Sequence, residues 1–133
     1  MLIREESFYY TTGWSDPLVG VGAAVNQQIS IAADVPFKAY YYTVAVRQGV
    51  AGAELLVFTF AGDVQINDTQ VGKSLFNIAA PIVSISGDGQ LPYNLAPPRI
   101  FNSNTVIVFL TTSNVGTRTQ VNYTLHGAKL YNA

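Results

Sequence analysis

The chain has 133 residues, enough for one domain with a core of useful size. Only 11% of them are Asp, Glu, Lys or Arg, and the formal net charge is −1; this sparse, balanced charge argues against electrostatic binding to nucleic acid or an acidic membrane. The lack of any cysteine excludes disulfides, thiolate metal sites and cysteine nucleophiles.

The opening MLIREESFYY carries two glutamates and no continuous apolar stretch, so it does not read as a secretory signal. No run approaches the roughly 20 apolar residues of a membrane span. The chain is expected to fold in a reducing cytoplasm, without export. Residues 1–20 crowd Phe8, Tyr9, Tyr10 and Trp14 together ahead of Asp16, Pro17, Gly20 and Gly22. They read either as a first strand folded onto the sheet or as an arm that lays its rings on a neighbouring subunit, where aromatics supply much of the energy. We take the arm, 1–20, followed by one domain, 21–133.

Residues 25–32 alternate cleanly, with Val25, Ile29 and Ile31 against Asn26, Gln28 and Ser30, as a half-buried strand does. Residues 38–48 form the next strand, with Tyr40, Tyr42, Val44 and Val46 opposed to Tyr41, Thr43 and Arg47. Residues 54–60 are apolar on both faces, which predicts a central or interface strand. Gly62 and Asp63 read as its end, and 64–77 as a loop with at most a turn or a short strand. A brief strand is expected at 81–86, closed by Gly87-Asp88-Gly89.

Pro92, Pro97 and Pro98 then make a stiff lead-in unsuited to the middle of a sheet. A strand at 105–112, a polar turn at 113–118 and a strand at 119–131 are expected as a hairpin that closes a sheet. Val121, Tyr123 and Leu125 carry its apolar face, and after Gly127 the apolar phase passes to Ala128 and Leu130. A glycine at a phase change is the mark of a β-bulge. Short strands without helices between them predict an all-β protein, an antiparallel β-sandwich. The long loops suit Greek-key crossings, and the predicted topology is a jelly roll.

Chemistry-bearing patterns are sparse. The single histidine, His126, has no second histidine or paired carboxylate at a recognisable spacing, so a structural hydrogen bond is its expected role. Ser84, Ser86 and Ser103 lack a nucleophile-elbow context, and Gly72-Lys73-Ser74 lacks the upstream glycine of a phosphate loop. Asp63, Asn67 and Asp68 lack calcium-loop spacing. Two Asn-X-Thr sequences, at Asn67 and Asn122, carry no weight without export. No cofactor is predicted. Tyr40, Tyr41 and Tyr42 point to both faces of one strand. Exposed, such rings could stack on sugars or single-stranded nucleic acid, but a split between core and subunit interface is the preferred reading.

One resemblance goes further. Pro92, Tyr93, Leu95, Pro97, Pro98 and Phe101, then an apolar strand ending Thr111-Thr112-Ser113-Asn114, then Leu125-His126-Gly127 with Lys129, Leu130 and Tyr131, resemble structural proteins of tailed double-stranded DNA phages. The strand from Pro36 to Val46 resembles the other recurrent piece of that family. The resemblance spans most of residues 25–131. It implies a jelly-roll cement, or decoration, protein: a non-enzymatic clamp on the outer surface of the capsid, bridging major capsid subunits as a homo-oligomer, a dimer before a trimer. The expected contacts are Phe8, Tyr9, Tyr10 and Trp14 of the arm, with Tyr41, Asp68 and Arg99 as further candidates. The alternative is a carbohydrate-recognising receptor-binding or spike domain. A cupin-type enzyme ranks behind both because of the lone histidine.

Overall fold

The structure, a computed structural model, describes residues 3–57, 60–69, 73–74, 80–81 and 93–132. Among them there is no helix, and the strands form two antiparallel sheets packed as a sandwich. The strands are β1 (Ile3–Thr11), β2 (Ala24–Ser30), β3 (Phe37–Gln48), β4 (Leu55–Val57), β5 (Gly62–Asp68), β6 (Lys73–Ser74), β7 (Ala80–Pro81), β8 (Tyr93–Phe101), β9 (Val106–Ser113) and β10 (Thr119–Asn132). The first sheet runs β1–β10–β3, with β4 and β8 sharing the far edge of β3. The second runs β2–β9–β5, with β6 and β7 sharing the far edge of β5.

Period-2 alternation builds the two inner faces. Ile29 of β2, Val64 and Ile66 of β5, Ile107 and Phe109 of β9, and Val121, Tyr123 and Leu125 of β10 are all buried. Across the gap Phe109 stacks on Tyr123 with ring centres 4.7 Å apart, and the Thr111 and Tyr123 hydroxyls bond at 2.8 Å. Burial pushes the Tyr123 phenol above the ordinary tyrosine range.

The expected hairpin is not one. β9 and β10 lie in different sheets, and residues 114–118 carry the chain across the sandwich. A strand folded back beside its predecessor and a strand dropped onto the facing sheet bury the same alternate residues, so periodicity does not separate them. Pairing decides: β10 is flanked by β1 and β3, while β9 is flanked by β2 and β5. The corner is tied down by the Gly22 N–H to the Ser113 carbonyl (2.7 Å) and the Asn114 N–H to the Ala61 carbonyl (2.9 Å).

Other elements differ too. Among the described residues of 54–60, Leu55–Val57 form the three-residue β4 on the rim of the sheet with Leu55 and Leu56 exposed, so this strand is not central; residues 58 and 59 lie outside the described set. The expected loop 64–77 begins with most of β5, an inner strand of the second sheet. Its period was masked because Asp68, a carboxylate, occupies the third inward position after Val64 and Ile66. Pro92 lies outside the described residues, but the rest of the proline lead-in is itself a strand, β8, and its pairing with β3 breaks between Asn94 and Arg99, so Pro97 and Pro98 fall where no ladder donor is needed. The strand expected at 81–86 and the turn at 87–89 lie outside the described residues, apart from Pro81 in β7.

The N-terminal segment is part of the sandwich. β1 pairs with β10 at nine successive positions, from Ile3–Asn132 to Thr11–Thr124. Beyond it, the Thr12, Ser15 and Leu18 N–H groups donate to the Tyr123, Val121 and Thr119 carbonyls. Leu18 lies in the core. What reads as an arm is an edge strand with an irregular extension.

The bulge falls at Gly127, but its extra residue is on the neighbouring strand. β10 pairs His126 with Tyr41 and then Gly127 with Ala39, leaving Tyr40 out of the ladder, while the β1–β10 register runs through without interruption. A side chain at position 127 would meet the Lys38 carbonyl of β3. Gly127→Ala is therefore expected to cost about 2–3 kcal/mol through forced backbone displacement. Gly116→Ala, in open space, should stay within about 0.5 kcal/mol of the parent. Chemical denaturation of both variants checks this.

Candidate functional site

Directly opposite residues on antiparallel strands share a face of the sheet. The register therefore lines up Tyr9 of β1, His126 of β10 and Tyr41 of β3 in one row across the outer face of the first sheet. The His126 ring stacks on Tyr41 at 4.6 Å and 14°, with Tyr9 at 6.2 Å on its other side. His126 Nε2 lies 3.1 Å from the Thr43 hydroxyl, so its hydrogen-bonding role is met from β3. Partial burial pulls the imidazole pKa below its ordinary 6.5.

The bulge adds a second ring to this face. The Tyr40 hydroxyl donates to Glu5 Oε1 at 2.6 Å, and Lys38 Nζ lies 3.3 Å from the same oxygen. The Tyr40 hydrogen bond, then Lys38, hold the Glu5 carboxyl below the usual carboxylate range against the desolvation that opposes them. Glu5, Ser7, Tyr9, Tyr40, Tyr41 and His126 frame an open depression of about 750 Å³ floored by Gly127 and Ala128. It offers ring faces beside a fixed carboxylate and hydroxyls, the furniture for stacking and hydrogen bonding a polar ligand.

A second surface lies at one end of the sandwich. Leu18 bridges to Thr119, Thr119 pairs with Gln48, and Gln48 pairs with Leu55. The loops leaving these positions therefore emerge side by side. Together with β4 they expose Val19 (66%), Val21 (74%), Val50 (75%), Leu55 (74%) and Leu56 (70%). Gly20 and Gly22, with φ of +100° and +85°, turn the chain sharply on either side of Val21. Beneath, Arg118 Nη1 bonds Glu54 Oε1 at 3.0 Å and the Gly49 carbonyl at 3.3 Å, fixing the loop stems. The Glu54 carboxyl is held below the usual range by its own backbone amide first, then by Arg118.

The structure disperses the residues expected to act together. Tyr9 is exposed in the outer row, whereas Tyr10 turns inward, edge-on to Phe37 at 4.9 Å, its hydroxyl accepting from the Ala32 N–H. Tyr10 is thus a packing residue and not a surface contact. Phe8 packs edge-on to Tyr10 at 4.9 Å under Lys129 Nζ. Trp14 lies over the Arg47 guanidinium at 4.3 Å, and Arg47 in turn donates to Gln120. Asp68, expected in an exposed loop, is 4% exposed on β5, which removes it as a surface contact. Strand alternation also turns Asp68 to the opposite face from Asp63 and Asn67, so the three do not converge on a cation. Arg99 is half-buried on β8, paired with Ala39. Of the expected contacts, Tyr9 and Tyr41 are brought together, through His126.

Sequence reasoning missed the apolar end. Its signal is Val19-Gly20-Val21-Gly22 and Gly49-Val50: apolar side chains set between glycines in turns have no strand face on which to bury. No family profile, curated protein or solved structure matches the chain.

The lowered His126 pKa makes a pH prediction. Below the unfolded value of 6.5 the unfolded chain takes up the proton more readily than the folded one. The stability is complete above 6.5 and falls as pH drops from there through the folded value. The single imidazole should titrate below 6.5 by NMR, and His126→Gln should flatten this part of the stability–pH curve. A midpoint at or above 6.5 contradicts the assignment.

Proposed function

We propose that this chain is a non-enzymatic capsid cement protein of a tailed phage, a homo-oligomer whose apolar end docks on major capsid subunits at the outside of the head. The strand order supports a jelly-roll reading. β1, β10, β3 and β8 on one side, and β2, β9, β5 and its short partners on the other, give the chain repeated crossings between sheets, as two Greek keys do. Apart from Pro92, outside the described residues, and Asn114, just past β9, the C-terminal phage-like residues lie on β8, β9 and β10, strands that build this order.

The carrying observation is the apolar end, where five Val and Leu side chains point into solvent with Gly and Ala between them. Covering them is worth roughly 5–10 kcal/mol before association costs, and association consumes about 4–15 kcal/mol. A single contact is then weak, and repetition over a shell makes the coverage stable. Deleting residues 1–14 is a poor test, because it strips β10 of its partner strand. Leu55→Asp combined with Val21→Asp should leave folding intact, since both sites are exposed. It should weaken binding to heads lacking the protein at least tenfold, by an estimate of over 1.4 kcal/mol lost. Undiminished binding by that variant would remove the apolar end from the account.

A second reading, carbohydrate recognition, is favoured by the row of Tyr9, His126 and Tyr41 beside Glu5. It expects glycan-array binding that Tyr9→Ala abolishes. Binding to heads that ignores both sugars and Tyr9→Ala supports the cement reading alone.

A further inference from the structure

We infer that the chain forms a two-fold dimer in which the free edge of β1 pairs with the same edge of a second copy. This deepens the homo-oligomer part of the function proposed above by naming its interface. β10 occupies one edge of β1, and among the described residues no strand occupies the other. Seven successive residues of β1, starting at Ile3, are exposed on both faces of the sheet. The strand carries no proline, and its pairing with β10 has no bulge, so it lacks two of the devices that keep an edge from adding strands.

The choice of a second copy comes from the order of residues in β1. Its first half holds Arg4, Glu5 and Glu6, and its second half holds Phe8, Tyr9 and Tyr10. Run antiparallel against itself, the charged half meets the ring half. A two-fold axis through Ser7, perpendicular to the sheet, keeps every side chain on its own face and pairs all nine residues. Arg4 then faces the partner's Tyr10, Glu5 the partner's Tyr9, Glu6 the partner's Phe8, and Ser7 its own copy. Moving the axis to Glu6 or Glu5 sets a carboxylate against itself, which is unfavourable. Moving it to Phe8 drops Ile3 and Arg4 from the ladder.

The consequence is geometric. Two first sheets join into one continuous sheet, with the two rows of Tyr9, His126 and Tyr41 flanking the axis. Because the axis reverses strand direction, the two apolar ends point away from each other. Such a dimer presents one docking surface at each extremity, the arrangement a bridge between neighbouring subunits needs.

The test uses purified full-length protein without heads, so its failure leaves the cement reading standing on its own experiment. Sedimentation at high micromolar concentration should give twice the chain mass. The chain has no cysteine, so an introduced pair reports alone. Cα atoms of directly opposed residues lie about 4.5–5.5 Å apart, within the span a disulfide bridges. With copper phenanthroline as oxidant, Ser7→Cys should form covalent dimers at least tenfold faster than Ser30→Cys, which sits exposed on the edge of the second sheet. Ser7→Lys, which opposes two ammonium groups on the axis, should raise the dimer dissociation constant at least tenfold. A monomeric or trimeric parent overturns the inference. So does a dimeric parent whose Ser7→Cys variant crosslinks no faster than the Ser30→Cys control.

Discussion

The backbone of β10 passes β3 at Gly127 so closely that a side chain there would strike the Lys38 carbonyl. Much of the molecular surface follows from that approach. It lets β3 carry one more residue than β10 over the same length, and the surplus residue, Tyr40, is left out of the ladder. The inward side of β3 then changes from Tyr42, Val44 and Val46 to Ala39 and Phe37, all facing the core. Tyr40 and Tyr41 come to lie together on the outer face, where Tyr40 fixes Glu5 and Tyr41 stacks on His126. A chain with an ordinary ladder here would alternate those rings between core and solvent and have no such depression.

β10 is also the strand on which the sandwich is assembled. It lies between β1 and β3, extends its hydrogen bonding to Thr12, Ser15 and Leu18, and stacks Tyr123 on Phe109 of the opposite sheet. The Gln27 amide nitrogen reaches the Thr12 hydroxyl and the Gly13 carbonyl, both at 3.1 Å, and the Gln120 amide reaches the Ser15 carbonyl at 2.8 Å. These bonds hold the irregular stretch after β1 against the sheet. The N-terminal segment is therefore fixed before any partner arrives, which lowers the ordering cost of contacts made through it.

The low charge has a spatial meaning. Among the described residues the ion pairs are few, such as Arg118 with Glu54 and Lys38 with Glu5, and these two brace a loop and a strand edge. What remains open to solvent at the end of the sandwich is aliphatic, and beside the bulge it is aromatic. A surface of this kind gains by being covered, and its affinity depends little on salt. That suits the contact role proposed above.

Composition and alternation alone determined the all-β class, the strands near β2, β3, β9 and β10, and the irregularity at Gly127, because each depends on local periodicity or on one residue's lack of a side chain. The hydrogen bond expected of the single histidine is present, but its partner, the Thr43 hydroxyl on β3, could not be named from the sequence. Tertiary structure alone decided that β9 and β10 face each other instead of pairing, that Asp68 goes inside on β5, and that Tyr9 and Trp14 part from the packed pair Phe8 and Tyr10. A period of two states that a strand has an inner face, and no more. Which edge it bonds to, and which distant residues share its outer face, depend on register between segments far apart in sequence, as for Tyr9 and His126, and that information exists only once the sheets have formed.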